Sequence, residues 1–392
     1  MRQWVLAGLS SLLLAFSGAT WAQTPSANAL QHAGASTQGC CLPAASQRLM
    51  RATGSGREYQ IYIAMPKGPA PAAGYAVMYV LDGDAMFHTM VDTVRAYERR
   101  PDGGEHTRAV VVGIGYPPGT DIPAARTLDM TPVASDEPRV LKPNGGADAF
   151  LSFVEDDLKP TIAREIKIDP QRQALFGHSF GGLFALHALT MRPESFQTYI
   201  AASPSLWYAN AYMAGRVEQF ASSGKALPQP LRVLLTAGEY EQSLSPNAAR
   251  RPKAEKVASV LKQRAQVQRS IEAAEQLSKL PNMLAIAQEI AGEDHGTVIP
   301  SAIGRGVWFF LAGPVVTPVP SAQAYMDMTT EQRYQLRLQV RDLPDSVRIP
   351  WLNKLKSTLH EGLTKEQAEA LHTERNMMDQ KNGTKPHLIN AQ

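Results

Sequence analysis

The sequence predicts an α/β fold: a mostly parallel central sheet with helices on both faces, followed by a C-terminal helical extension. Three observations predict it. Short β-branched runs closed by glycine alternate with segments of helical apolar spacing, as in parallel strands covered on both sides. One such run passes into a helix through the tight turn Gly177-His178-Ser179-Phe180-Gly181. Beyond Pro320 the β-branched runs stop, and charged amphipathic sequence takes over.

The first residues, MRQWVLAGLSSLLLAFSGATWAQ, carry one early cation (Arg2), an apolar run from Trp4 to Phe16 and the small-x-small site Thr20-Trp21-Ala22. They predict a signal peptide over residues 1–22, cut after Ala22. The run is shorter than the ~20 residues a membrane span needs. No other stretch reaches that length, so a soluble secreted protein is expected, and the leader's style points to a bacterial periplasm. Residues 23–45, rich in Ala, Ser, Thr, Gln and Gly, read as a flexible segment. They hold both cysteines, Cys40 and Cys41. Neighbouring Cα atoms lie about 3.8 Å apart, below the usual disulfide range, so two thiols or one intermolecular bridge are expected.

The α/β domain is expected over 46–312. REYQIYIAMP (57–66) alternates like a strand. YAVMYVLDG (75–83) and RAVVVGIGY (108–116) are buried strands, and 113–146 reads as a long loop rich in Pro, Gly and Asp. A helix is predicted over 146–166. QALF precedes the glycine turn and LFALHALTM follows it as a helix. FQTYIAASPS (196–205), LRVLLTAGE (231–239) and MLAIAQEIAGEDHG (283–296) supply further strands, 248–280 is charged and helical, and GVWFFLAG (306–313) closes the domain with a helix. The extension, 313–392, predicts two or three amphipathic helices, with helix starts at Thr329-Thr330-Glu331 and Thr364-Lys365-Glu366-Gln367.

The chain is 44% hydrophobic and 19% charged, which excludes wholesale disorder, and its net charge of +3 is too mild to argue for nucleic acid. No Cys/His cluster has zinc spacing. The chemistry is read instead from the glycine turn. It fits G-x-S-x-G, the nucleophile elbow of α/β-hydrolases, in the strand–turn–helix context that motif requires. The elbow pushes Ser179 into solvent on a crowded backbone, which the flanking glycines relieve. A serine needs a base and a group to orient that base, following it in the order acid, then His. Among nine histidines, only His295 directly follows a late strand. The acid is expected after LRVLLTAGE. Glu241 lies further into that loop, with Glu239 and Asp294 as alternatives. The oxyanion hole is expected from the N–H of Phe180 and one N–H of the Asp82-Gly83 turn.

These residues resemble the periplasmic siderophore esterases that cut the trilactones of enterobactin and salmochelin, a branch of the α/β-hydrolases. YVLDGDAMF (79–87), VVGIGYP (111–117), R-x-x-D-x-T-P (126–132), GHSFGGLFALHAL (177–189), SPSLWY (203–208), GEYE (238–241) and Asp294-His295-Gly296 carry the resemblance, from about Ser46 to Leu311. It implies hydrolysis of catecholate siderophore esters by Ser179 and His295, with the acid less firm because some members are described as Ser–His dyads. It also implies that Arg126 faces the anionic catecholate, where a guanidinium stacks on an aromatic ring, and that Trp207 adds a stacking wall. Internal pairing of Arg126 with Asp129, and core packing of Trp207, are the alternatives. No metal or organic cofactor is implied, since iron would arrive as cargo of the substrate. A general feruloyl or acetyl carboxylesterase, and a catalytically silent binding or scaffold protein, are the rival functions.

Overall fold

The computed structural model describes residues 44–100, 104–133, 141–223, 227, 229–312, 319–341 and 345–382. The predicted leader, Cys40 and Cys41 lie outside the described residues.

The described chain opens with the hairpin β1 (Ala45–Arg51) and β2 (Glu58–Ala64). Then come β3 (Tyr75–Leu81), α1 (Gly83–Glu98), β4 (Ala109–Gly115) and α2 (Ile122–Met130). α3 (Ala147–Ser152) runs through one π-helical turn into α4 (Lys159–Glu165). Next are β5 (Ile168–His178), α5 (Phe180–Met191), β6 (Thr198–Ala202), α6 (Tyr208–Ser222) and β7 (Leu231–Gly238). The domain ends with α7 (Ala254–Arg264), α8 (Gln266–Leu277), β8 (Met283–Ile290) and α9 (Val298–Leu311). The extension holds α10 (Ala322–Asp327), α11 (Thr330–Arg341), α12 (Asp345–Gly362) and α13 (Lys365–Lys381).

The strands form one sheet in the order β1-β2-β4-β3-β5-β6-β7-β8. β1–β2 and β2–β4 pair antiparallel, and every later pairing is parallel. The C-terminal ends of β3, β5, β6, β7 and β8 therefore share one edge, where open α/β sheets hold their ligands. Alternation along β3 fills both faces. Val77, Tyr79 and Leu81 pack with Phe150, Phe153 and Phe184 on one side, while Met78 and Val80 pack with Phe87, Met90 and Phe309 on the other.

The extension completes the second face. Tyr325, Leu336, Val340, Trp351 and Leu355 are buried in the same apolar cluster as Ile286 and Phe310. Among the described residues of the extension four helices stand where two or three were predicted, because α10 begins on its own cap, with Ser321 Oγ accepting from Ala324 N–H at 3.1 Å. The Thr364–Gln367 capping box forms at the start of α13. Among the described residues, no helix is long and apolar enough to cross a membrane.

Two elements depart from expectation. The 113–146 stretch is not all loop. Asp121 caps α2 by accepting from Ala124 N–H at 3.1 Å, with Pro123 in the first turn. β1 was not predicted, because ASQRLMR has no apolar alternation; it is a mostly exposed edge strand formed by pairing with β2.

Candidate active site

β5 is buried through His178 and leads into α5, leaving Ser179 alone at the turn with φ 60° and ψ −114°. A left-handed φ is costly for serine, and neighbouring contacts hold it. Ser179 N–H donates to the Ala202 carbonyl at 2.9 Å, and Ser179 O accepts from Leu183 and Ser205 N–H groups at 3.0 and 3.1 Å. A Cβ at position 177 would sit 2.2 Å from the Gly181 carbonyl oxygen, so the first glycine of the motif is a steric requirement.

Three stretches of chain meet at this turn. His295 Nε2 lies 3.0 Å from Ser179 Oγ, and His295 Nδ1 lies 2.6 Å from Glu241 Oε2. Glu241 is 4% exposed, and the His295 ring is half exposed. Burial raises the Glu241 pKa. Hydrogen bonds from His295, from Ser203 Oγ (2.5 Å) and from the Gly238 N–H (2.8 Å) more than offset this and hold it below the ordinary glutamate value. An ionised carboxylate only accepts, so His295 Nδ1 carries the proton and Nε2 presents a lone pair. The Ser179 hydroxyl then donates to His295. Ser205 Oγ, 3.3 Å from Ser179 Oγ, is left to donate to the serine oxygen.

Glu239 and Glu241 were expected on one side of an extended chain. The chain instead turns as a 3₁₀ helix over Glu239–Glu241, and the two carboxylates separate. Glu239 Oε2 accepts from Gly292 N–H at 2.8 Å, bracing the β8 loop. Asp294 accepts from the Gly296 and Thr297 N–H groups at 2.9 and 3.0 Å, shaping the loop that carries His295.

Asp82 is a second non-glycine residue in left-handed conformation at a strand-to-helix turn, with φ 52° and ψ 46°. Its carboxylate makes no helix cap, contrary to the usual role of an aspartate there. Gly83 is pressed on β4, where a Cβ would meet Ile114 N at 2.7 Å. A Cβ on Gly181 would be 3.5 Å from Asp82 Oδ2, so the two turns are neighbours. Phe180 and Gly83 each occupy the first position of a helix, where N–H groups have no intrahelical partner.

Arg126 joins the two turns. Its Nε donates to Asp82 Oδ1 at 2.7 Å and its Nη2 to the His178 carbonyl at 2.8 Å. The alternative internal partner weighed from the sequence, Asp129, is instead bound by Arg57 at 3.0 Å. Residues three apart on α2 could meet, but Asp129 is buried and held by Arg57, while Arg126 is spent on Asp82 and the His178 carbonyl. The guanidinium lies 5.7 Å from the Phe180 ring, and its side chain is 22% exposed, so its remaining contact with substrate is limited. Trp207 is half buried and lines a cavity of about 260 Å³ together with Tyr240, Leu261, Arg264, Glu241 and His295.

Sequence reasoning missed Ser203, Ser205, His178 and Arg264. Both serines stood in the conspicuous SPSLWY stretch. His178 does not reach the serine, but its ring packs 4.6 Å from the His295 ring. Burial first, then the His295 charge, depresses its pKa to about 3, so it is a neutral wall at working pH.

A family model described as "Putative esterase" matches residues 52–277, including Ser179 and Glu241 and ending before His295. The chain is 36% identical over 291 residues to the ferri-bacillibactin esterase BesA of Bacillus subtilis, covering 71% of this chain and 93% of that protein. It is 33% identical over 278 residues to a siderophore enterobactin esterase of Emericella nidulans, covering 64% and 88%. Among solved structures, the siderophore hydrolase EstA of Aspergillus nidulans superposes with a TM-score of 0.61 at 33% identity, over 69% of this chain and 95% of that one.

Proposed function

This chain belongs to the putative esterase family, and from that premise we propose that it is a serine esterase that cuts the ester bonds of a catecholate siderophore. The observation that carries the reading is the contact of Ser179, His295 and Glu241 within hydrogen-bond reach. The siderophore assignment rests on relatives named for such substrates.

In this mechanism His295 Nε2 takes the Ser179 proton as Oγ attacks the ester carbonyl. Glu241 stabilises the imidazolium that forms. The carbonyl oxygen becomes an oxyanion received by the N–H of Phe180 and by the Asp82-Gly83 turn, where each such donor is worth about 3 kcal/mol in the transition state. Collapse breaks the C–O bond, and His295 protonates the departing alcohol. A water, deprotonated by the same imidazole, then releases the acyl group. For a cyclic trilactone the first product is the linear trimer, with one ester cut to a carboxylate and an alcohol and two esters left. The leader predicted over residues 1–22 supports a periplasmic address for this reaction.

Incubation with enterobactin followed by mass analysis tests the reading. Linear products from wild type, and none from Ser179→Ala, are expected. Turnover of a p-nitrophenyl ester that exceeds trilactone turnover by orders of magnitude would make the protein a general carboxylesterase. Failure of a fluorophosphonate to label Ser179 would point to the silent protein.

A further inference from the structure

The wall of the cleft is cationic, and its cations form no ion pair among the described residues. From residue 250 to residue 264 the chain carries Arg250, Arg251, Lys253, Lys256, Lys262 and Arg264 against one carboxylate, Glu255. All six are exposed, and none forms an ion pair with a described residue. Four of them lie on α7 or next to it. α7 buries none of its residues, and left-handed backbone at Lys253 (φ 67°) and Ala265 (φ 46°) brackets it. Its Val257 and Leu261 nevertheless line the same cavity as His295. At its last residue the Arg264 guanidinium lies 4.2 Å from the centre of the Trp207 ring. The nucleophile's cleft is thus bordered by a flat cation-on-indole shelf and a run of like charges.

Like charges crowded on one helix repel one another, and an anionic ligand relieves that repulsion. Simple aryl and alkyl esters are neutral. A free catechol also keeps its protons at neutral pH, whereas a catechol bound to ferric iron has lost both. The iron-loaded trilactone is therefore a compact polyanion with flat aromatic faces, the shape and charge that Arg264 and α7 complement. We propose that α7 and the Arg264–Trp207 shelf form the recognition site for the ferric, polyanionic form of the substrate, so that the enzyme acts on iron-loaded siderophore in preference to iron-free siderophore. This deepens the siderophore reading and rests on it.

The test measures kcat/KM of the full chain for ferric and iron-free enterobactin across a rising salt series. The ferric form is expected to be the better substrate and the only one whose kcat/KM falls as salt screens the helix. Arg264→Gln is expected to lower the ferric-to-free ratio about tenfold, chiefly through KM for the ferric form. Lys256→Glu with Lys262→Glu, both exposed, is expected to lower the ratio and flatten the salt dependence. Equal, salt-insensitive cleavage of both forms, or an unchanged ratio in both variants, would overturn the proposal while leaving the siderophore reading intact. Cleavage of p-nitrophenyl esters with neither siderophore form touched would overturn that reading instead.

Discussion

Two strand-to-helix turns face each other in this molecule, and they use the same backbone device for opposite ends. At the β5–α5 turn Ser179 takes a φ of 60°, and at the β3–α1 turn Asp82 takes a φ of 52°. Both turns abut a glycine that has no room for a Cβ: Gly177 against Gly181 O, and Gly83 against Ile114 N. The first turn thrusts its side chain into the cleft. The second turns its side chain away into the Arg126 pair, so that backbone is what it offers. In the proposed mechanism the strain at the first turn presents a hydroxyl, and the strain at the second presents amides. Arg126 bonds to both turns and fixes their separation.

The largest effects belong to the first turn. Ser179→Ala removes the attacking atom, and kcat is expected to fall by about ten-thousand-fold or more, with residual turnover from the amide donors. Glu241→Gln keeps the shape of the carboxylate but loses the acceptor that keeps the Nδ1 proton in place. A loss of kcat of about a thousand- to ten-thousand-fold is expected. Retention of near-full activity in Glu241→Gln would mark a Ser–His dyad and reduce Glu241 to a brace for Gly238 and Ser203.

Next in size is the tie between the turns. If Arg126 holds them in register, Arg126→Ala lowers kcat by about 10- to 100-fold and leaves KM within a few-fold, the loss expected for two charge-assisted hydrogen bonds. If it instead grips substrate, KM rises and kcat holds. Steady-state kinetics on one ester separates the two, and Arg126→Lys should recover little, since a single ammonium cannot span both acceptors.

Much of this arrangement was legible before any coordinates. β3, β4 and β7 read clearly because strands buried on both faces are continuous apolar runs, and the elbow read clearly because a glycine motif sat between such a run and a helix. His295 followed from chain order together with its place directly after a late strand. What was not legible depended on side chains meeting across the fold. The partner of Arg126 could not be told from spacing, since Asp129 is three residues away and Asp82 is 44. The separation of Glu239 from Glu241 depended on whether the chain continued extended or turned, and the Glu241–Gly238 bond decided that locally. β1 was silent because an edge strand with polar sequence owes its existence to its neighbour. α7 read as a charged helix, but its place over the cleft is a tertiary fact.

The smallest expected effect is on stability, and it distinguishes the neighbours of the two turns by sign. Burial pushes the Asp82 carboxyl upward against the pull of Arg126, and burial with the His295 charge pushes His178 down to about 3. A histidine whose folded pKa lies below its unfolded value binds fewer protons folded than unfolded in the interval between. Its contribution is complete above the unfolded value, near 6.5, and is lost as pH falls toward 3. Between pH 7 and about 4.5 the loss from this one group is about 2–3 kcal/mol. Chemical denaturation of wild type and His178→Gln at those two pH values isolates it, because every other titrating group is common to both proteins. The gap in unfolding free energy between the two pH values should narrow by roughly that amount in the variant. An unchanged gap would mean that water reaches His178 in the folded state, and the wall behind His295 would then be charged in acid rather than neutral.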